Sequence, residues 1–188
     1  MKHALEKGHE VTAFVRNPSK LQIQHENLKI VQGDVRSVED VEKAVKAQNV
    51  VLSCLGVKLG QKPICAEGTK NIIRAMKKRD VKRIVVESAY GAGKTRKKGL
   101  YACLLRLAIK PLLKDKEAME DLLQKSGLDW TVVQPTILTN GPLTTKYRAD
   151  TNLKVGWLPK ISRADVADFM LKVAEQGKFL REVVIVSY

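Results

Sequence analysis

The sequence predicts an α/β fold built on a mainly parallel sheet with helices on both faces. Strand-like and helix-like segments alternate with short connections through its 188 residues, as parallel strands joined by crossover helices require. It opens partway through such a unit: Met1–Lys7 reads as a helix end, Gly8 as its stop, and His9–Val15 as a strand running straight into Arg16. The residues with chemical potential, Arg16, Asp34, Gly56, Ser88 and Pro135, all follow predicted strands, and right-handed crossovers collect such positions on one sheet edge, where ligands bind.

Each element has a local reason. Gly8 suits a left-handed cap, and the apolar Val11, Ala13, Phe14 and Val15 suit a strand buried on both faces. A short strand is predicted at Leu28–Val31, followed by Gly33 and Asp34. Ser37 then opens a helix as a capping box with Asp40 at its third position, and Val38, Val41, Ala44 and Val45 share one face. Val50–Leu55 reads as a central strand ending at Gly56, Cys65–Lys78 as a helix, and Val81–Val86 as a strand finishing at Glu87 and Ser88. A basic loop is expected over Gly91–Gly99, then helices at Leu100–Ile109 and Lys114–Lys125 separated near Pro111, which breaks helices. Gly127 stops the second. Trp130–Val133 is a strand, Gln134–Leu158 is irregular, Ser162–Glu175 is a helix capped by Ser162, and Glu182–Val186 is the last strand.

The length suits one domain, residues 1–188, with a full core. Leu100–Leu113 is the longest apolar stretch, but Arg106, Lys110 and Pro111 interrupt it, so no bilayer span is expected. Cys54, Cys65 and Cys103 are isolated, with no paired spacing, and read as reduced, buried thiols of a cytoplasmic protein. His3, His9 and His25 have no metal-ligand spacing. The net charge of +14 attracts anions. It is concentrated around Lys77–Arg83, where a helix carboxyl end tolerates cations, and in Lys94, Arg96, Lys97 and Lys98. Neither cluster has the aromatic interleaving or recognition helix of a nucleic-acid binder, which makes that partner unlikely.

Taken together, EVTAFVRNPSKL (10–21), GDV (33–35), LSCLG (52–56), EGTKNIIRAMKKRDVKRIVVESA (67–89), SGLDWTVVQP (126–135), GPLTTKY (141–147) and ISRADVADFML (161–171) resemble the atypical short-chain dehydrogenase/reductases with NAD(P)-binding, NmrA-like domains. Within these the chain is most similar to the flavin reductase/biliverdin-IXβ reductase group. The resemblance implies a doubly wound Rossmann-like sheet carrying NADPH across its carboxyl edge. It places Arg16, Ser19 and Lys20 around the adenosine 2′-phosphate, Asp34 and Val35 near the adenine, and Leu55 and Gly56 beneath the cofactor. Ser88 falls beside the nicotinamide as the candidate catalytic residue, with Pro135, Thr136 and Ile137 lining the nicotinamide side. Biliverdin reductases carry histidine in place of Ile137. The Tyr-x-x-x-Lys pair of ordinary short-chain dehydrogenases is missing, since Tyr90 and Lys94 have its spacing in a loop rather than on the next helix. The implied activity is reduction of flavin or a related planar acceptor such as a tetrapyrrole. The alternative is a non-catalytic module for dinucleotide sensing or protein interaction.

The residues themselves allow these roles unevenly. The Arg16 guanidinium is a rigid fork for phosphate, and no acidic residue stands at that strand end to chelate ribose hydroxyls, which favours NADP(H) over NAD(H). Asp34 suits either adenine or a backbone turn. Ser88 lacks a neighbouring base and a nucleophile elbow, so its hydroxyl suits orienting the nicotinamide amide, polarising a substrate or capping the strand end rather than attacking. Lys116 suits a general acid if it points inward, but flanked by Asp115 and Glu117 it reads as a solvated helix residue. Tyr147 and Trp157 can stack on a planar substrate or serve as core, and Lys146 and Arg148 can meet its acidic groups. The strand and glycine-rich turn that open such domains are absent from this sequence. That strand would lie between His9–Val15 and Val50–Leu55, so two unpartnered edges, impaired cofactor binding, and self-association or a compensating segment are expected.

Overall fold

The computed structural model describes residues 1–56, 60–93 and 100–188, with the side chains of 100–109 outside the description. The predicted basic cluster at 94–98 therefore lies outside the described residues. In chain order the elements are α1 (Lys2–Glu6), β1 (Val11–Val15), β2 (Leu28–Gln32), α2 (Val38–Val45), β3 (Val50–Ser53), α3 (Cys65–Lys78), β4 (Arg83–Glu87), α4 (Leu100–Gln124), β5 (Asp129–Pro135), β6 (Ile137–Thr139), β7 (Arg148–Asp150), β8 (Lys160–Ser162), α5 (Arg163–Gln176) and β9 (Glu182–Ser187). A short 3-10 turn, Pro18–Lys20, follows β1.

The main sheet has the order β3-β4-β5-β9-β7. Its first four strands are parallel and β7 is antiparallel at the edge. Parallel β1 and β2 form a separate pair, as do β6 and β8. The strands predicted at 50–55 and 81–86 are adjacent, with Val50 opposite Arg83 and Ser53 opposite Val86. Four strands of the main sheet and the β1–β2 pair run parallel to their neighbours, as a mainly parallel α/β domain requires.

Alternation along β4 and β5 explains their near-continuous apolar sequences. Ile84, Val86 and Val132 face a core shared with Val41, Ile72, Met76, Met119 and Leu123 of α2, α3 and α4. Val85 and Val133 face the opposite core, with Val166, Phe169, Met170 and Val173 of α5. Fully burying each such side chain contributes about 1.5–3 kcal/mol, so both faces need covering. Half of the expected capping box is present: Ser37 Oγ accepts from Asp40 N at 3.2 Å, but the Asp40 carboxylate accepts from Asp34 N at 3.2 Å, and Ser37 N donates to the Asp34 carbonyl instead. Gly8 and Gly127 take the left-handed conformations expected of stops, at φ 82° and 74°.

No backbone pairing joins β1 to β3 among the described residues. Phe14 of β1 and Val51 of β3 nevertheless pack against the same core. At this discontinuity Leu52 is 41% exposed, and the buried Ser53 hydroxyl has no hydrogen-bond partner among the described residues. Lys7 and His9 tie the amino-terminal segment to Glu175 of α5 at 2.9 and 2.8 Å.

Three expectations are corrected. Pro111 neither ends nor separates a helix but sits inside the continuous α4. Pro111 itself is exposed, so its ring takes no place in the packed core. The segment predicted as irregular contains β6 and β7; three-residue strands are too short to display a period. Cys54 is exposed as a residue where the chain leaves β3 at the uncovered sheet edge, with only its sulfur turned inward, whereas Cys65 is buried as expected and the Cys103 side chain lies outside the description.

Gly68 of α3 lies against two candidate site residues. A Cβ there would meet Leu55 Cδ1 at 2.7 Å and Val35 Cγ2 at 2.8 Å. Although alanine is the better helix former by about 1 kcal/mol, overpacking should dominate. Gly68→Ala is expected to cost about 1–3 kcal/mol in a urea titration; an unchanged or higher midpoint would contradict this packing.

Candidate functional site

The carboxyl ends of the parallel strands carry the candidate residues in two groups. At the end of β1, Arg16 is exposed, and its guanidinium has no hydrogen bond or ion pair among the described residues. Asn17 Oδ1 accepts from Ser19 N at 3.0 Å and Ser19 Oγ at 2.6 Å, holding the 3-10 turn. Ser19's proton is therefore committed locally, while Lys20 remains exposed. Past β2, Asp34 Oδ1 accepts from Arg36 N at 2.9 Å, an Asx turn. Its other oxygen lies 3.6 Å from Arg36, which also reaches Glu67 at 3.4 Å. Val35 is buried, and its carbonyl accepts from Asn71 Nδ2 at 2.9 Å.

Beyond β3, Leu55 is half-buried while Gly56 is exposed, with nothing among the described residues within 4 Å of where its Cβ would stand. Lys116 corrects the sequence reading. It is half-buried and donates from Nζ to the carbonyls of Leu55 at 2.8 Å and Glu87 at 2.7 Å, bridging the ends of β3 and β4. Charges at 115 and 117 suggested a solvated face, but α4 lies over the strand ends, where two carbonyls outside the sheet ladder need donors. Neighbouring Asp115 accepts from Cys65 N at 2.8 Å and Ala66 N at 3.0 Å, capping α3. Neither thiol is a ready nucleophile. Burial of the sulfur, with Glu87 beside it, pushes Cys54 up to about 12, and burial pushes Cys65 up to about 11.

Ser88 is only 4% exposed. Its Oγ donates to Glu120 Oε1 at 2.5 Å, an oxygen that also accepts from Gln134 Nε2 at 2.8 Å. Sequence reasoning missed Glu120; the available signal was its place one helical turn after Lys116, on the face that meets the strand ends.

The second group surrounds a cleft of about 280 Å³, lined by Ala89, Tyr90, Pro135, Thr136, Ile137, Gly156, Trp157 and Pro159. Thr136 Oγ1 donates to Ser187 Oγ at 3.0 Å, and Ile137 is 57% exposed. Trp157, 85% exposed, gives the cleft a flat apolar wall. Tyr147 does not join it. Its hydroxyl donates to Asp168 at 2.6 Å, its ring packs edge-on to Phe169, and burial followed by the Asp168 bond holds the phenol well above its usual range. Arg148 donates to the Tyr188 carbonyl at 2.9 Å, so its fork is partly engaged in the fold. A larger groove of about 760 Å³ runs along Gln124, Trp130 and Arg181, but no sequence-derived site residue lines it.

The two ends of this edge suit a phosphorylated dinucleotide: a free guanidinium at one, an apolar cleft with an aromatic wall at the other, and open space at Gly56 between them. Its centre suits a pyrophosphate less well. The amino ends of α2, α3 and α5 already have Ser37, Asp115 and Ser162 as acceptors.

Comparison with known proteins supports an NAD(P)-binding fold. The chain is 25% identical over 183 residues to the uncharacterized protein YwnB of Bacillus subtilis, covering 94% of this chain and 84% of that one. The structure of ChuY, described as an anaerobillin reductase from Escherichia coli, superposes with a TM-score of 0.84 at 20% identity, covering 98% and 87% of the two chains. A short-chain dehydrogenase/reductase of Veillonella parvula in complex with NADP gives 0.78 at 17% identity, covering 99% and 87%. These last two likenesses establish the shared Rossmann-type fold. The model of the NAD(P)H-binding family matches residues 1–177, and the chain belongs to that family.

Proposed function

We propose that this chain is an NADPH-dependent reductase of a planar acceptor, a flavin or a tetrapyrrole, operating as one domain in the cytoplasm. The observation that carries the reading is the unpaired Arg16 at one end of a sheet edge whose other end is an aromatic-walled cleft. The fold shared with a protein described as an anaerobillin reductase supports the acceptor class.

Bound NADPH would supply the hydride; the chain supplies orientation and electrostatics. Arg16 and Lys20 hold the 2′-phosphate. Pro135, Thr136 and Ile137 form one wall of the cleft, and the Trp157 ring offers a stacking surface for the acceptor. Ile137 has no proton to give, so in this reading solvent reaching the open cleft protonates the acceptor.

Isothermal titration tests the assignment. The parent chain should prefer NADPH to NADH, and Arg16→Ala should weaken NADPH by about 10- to 100-fold, the value of a charge-assisted phosphate contact, while leaving NADH unchanged. Equal losses for both cofactors would remove Arg16 from the phosphate site. NADPH consumption with flavin or biliverdin then tests the acceptor.

A further inference from the structure

We infer that Glu120 is a positioning residue that turns the Ser88 hydroxyl into a hydrogen-bond acceptor facing the site, matched to a ligand group that donates N–H. This deepens the proposed function and rests on it, because the cofactor's nicotinamide carboxamide is the donor that would meet the end of β4. Three elements converge on the carboxyl. Glu120 projects from α4 and is 2% exposed; Ser88 reaches it from the end of β4 and Gln134 from within β5. Both donate to the same oxygen, Oε1.

A serine hydroxyl has one proton and two lone pairs. With the proton given to Glu120, only lone pairs remain for anything else. The Ser88 backbone is held as well, its N–H donating to the Val133 carbonyl at 2.7 Å. Ser88 immediately precedes Ala89 and Tyr90, which line the 280 Å³ cleft. A cofactor carbonyl or carboxylate directed at Ser88 would find no donor there, whereas an amide N–H₂ would find an acceptor.

Gly93 fits the same account. A Cβ at this position would lie 2.6 Å from Glu120 Oε2, so the loop approaches the carboxyl closely. Burial raises the Glu120 pKa, while the bonds from Ser88 and Gln134 lower it; Glu117 raises it further, and Lys116 opposes that effect. Burial prevails, so the carboxyl loses its proton above the ordinary glutamate range. Once ionised it can only accept, which enforces the Ser88 orientation; while protonated it could donate and release that orientation.

Two measurements decide the matter. Carbon-13 NMR of the side-chain carboxyls, in the protein without nucleotide, should show Glu120 titrating above the usual value of about 4.3. Ser88→Ala should move it higher still, because the lost bond favoured the charged form. An ordinary midpoint, or one indifferent to Ser88→Ala, overturns the proposal.

The second measurement compares binding of NADP⁺ and its 3-acetylpyridine analogue, which replaces the amide N–H₂ by a methyl group. The parent should prefer NADP⁺ by about tenfold, the value of one hydrogen bond to an otherwise unpaired acceptor. That preference should collapse in Ser88→Ala and Glu120→Ala. It should return in Glu120→Gln, whose amide oxygen can accept the same two bonds. A preference that survives in Ser88→Ala or in folded Glu120→Ala overturns the inference, and Ser88→Ala answers alone if Glu120→Ala does not fold. If the parent binds neither nucleotide, the proposed function fails while the carboxyl titration still judges the Glu120–Ser88 coupling.

Discussion

Replacing Asp165 by alanine is expected to lower the unfolding free energy by about 3–5 kcal/mol, the range for breaking a buried charged network at one partner. Asp165 is fully buried at the start of α5. Its Oδ1 accepts from the backbone N–H groups of Thr144 at 2.9 Å and Thr145 at 2.7 Å. Its Oδ2 accepts from the hydroxyls of Tyr188 at 2.6 Å, Thr144 at 2.9 Å and Ser162 at 3.1 Å. One carboxylate therefore joins the 144–145 loop, the cap of α5 and the end of β9. Alanine would leave five donors without this acceptor. Urea titration of parent and variant measures the loss, and a change below about 1 kcal/mol would mean water satisfies them equally well.

Acid should reveal the same network. Burial alone would raise the Asp165 pKa, but the hydrogen bonds from Tyr188, Thr144 and Thr145 outweigh it and bring the group from 3.8 to about 2. Because the folded value is the lower one, the contribution is complete above the unfolded value of 3.8 and disappears as pH falls towards 2. Asp165→Asn should flatten that part of the stability curve. Glu120 has the opposite sign: its folded pKa is raised, so its contribution is greatest below the unfolded value and declines as pH rises through the folded one.

The alternation of apolar runs with amphipathic segments was enough to read the parallel sheet, the cap at Ser37 and the stops at Gly8 and Gly127. These features depend on local periodicity and cap chemistry. What escaped depends on tertiary contact. Lys116 reads as solvent-facing until α4 is laid across the ends of β3 and β4, where the Leu55 and Glu87 carbonyls accept from it. Pro111 reads as a breaker because local sequence does not show the packing that carries α4 on past it. Glu120 is another acidic residue on an amphipathic helix until Ser88 and Gln134 meet it from two strands. Arg16 was legible because its position needs only the end of one strand.

Extending the chain ahead of Met1 by a strand and a glycine-rich turn is expected to tighten NADPH binding by at least about 100-fold, the value of two or more charge-assisted hydrogen bonds. Arg16 and the cleft at Pro135–Ile137 address opposite ends of the dinucleotide, and the doubly charged pyrophosphate must find its donors between them. Helix amino ends provide such donors because their first N–H groups are unpaired and aligned with the helix dipole. Here Asp40 N is taken by Ser37, Cys65 N and Ala66 N by Asp115, and Asp165 N by Ser162. Asp115 also sets a carboxylate at the amino end of α3, repelling the anion that helix would otherwise attract. The surplus of cations raises the local anion concentration but has no direction, so it cannot reproduce a cradle of aligned N–H groups. A strand between β1 and β3 would also pair two edges that have no mutual hydrogen bonds, so the urea midpoint should rise together with affinity. Isothermal titration of the two chains separates the outcomes. Equal, tight binding by both would show that other residues hold the pyrophosphate, whereas no binding even by the extended chain would remove NADPH from the proposed function.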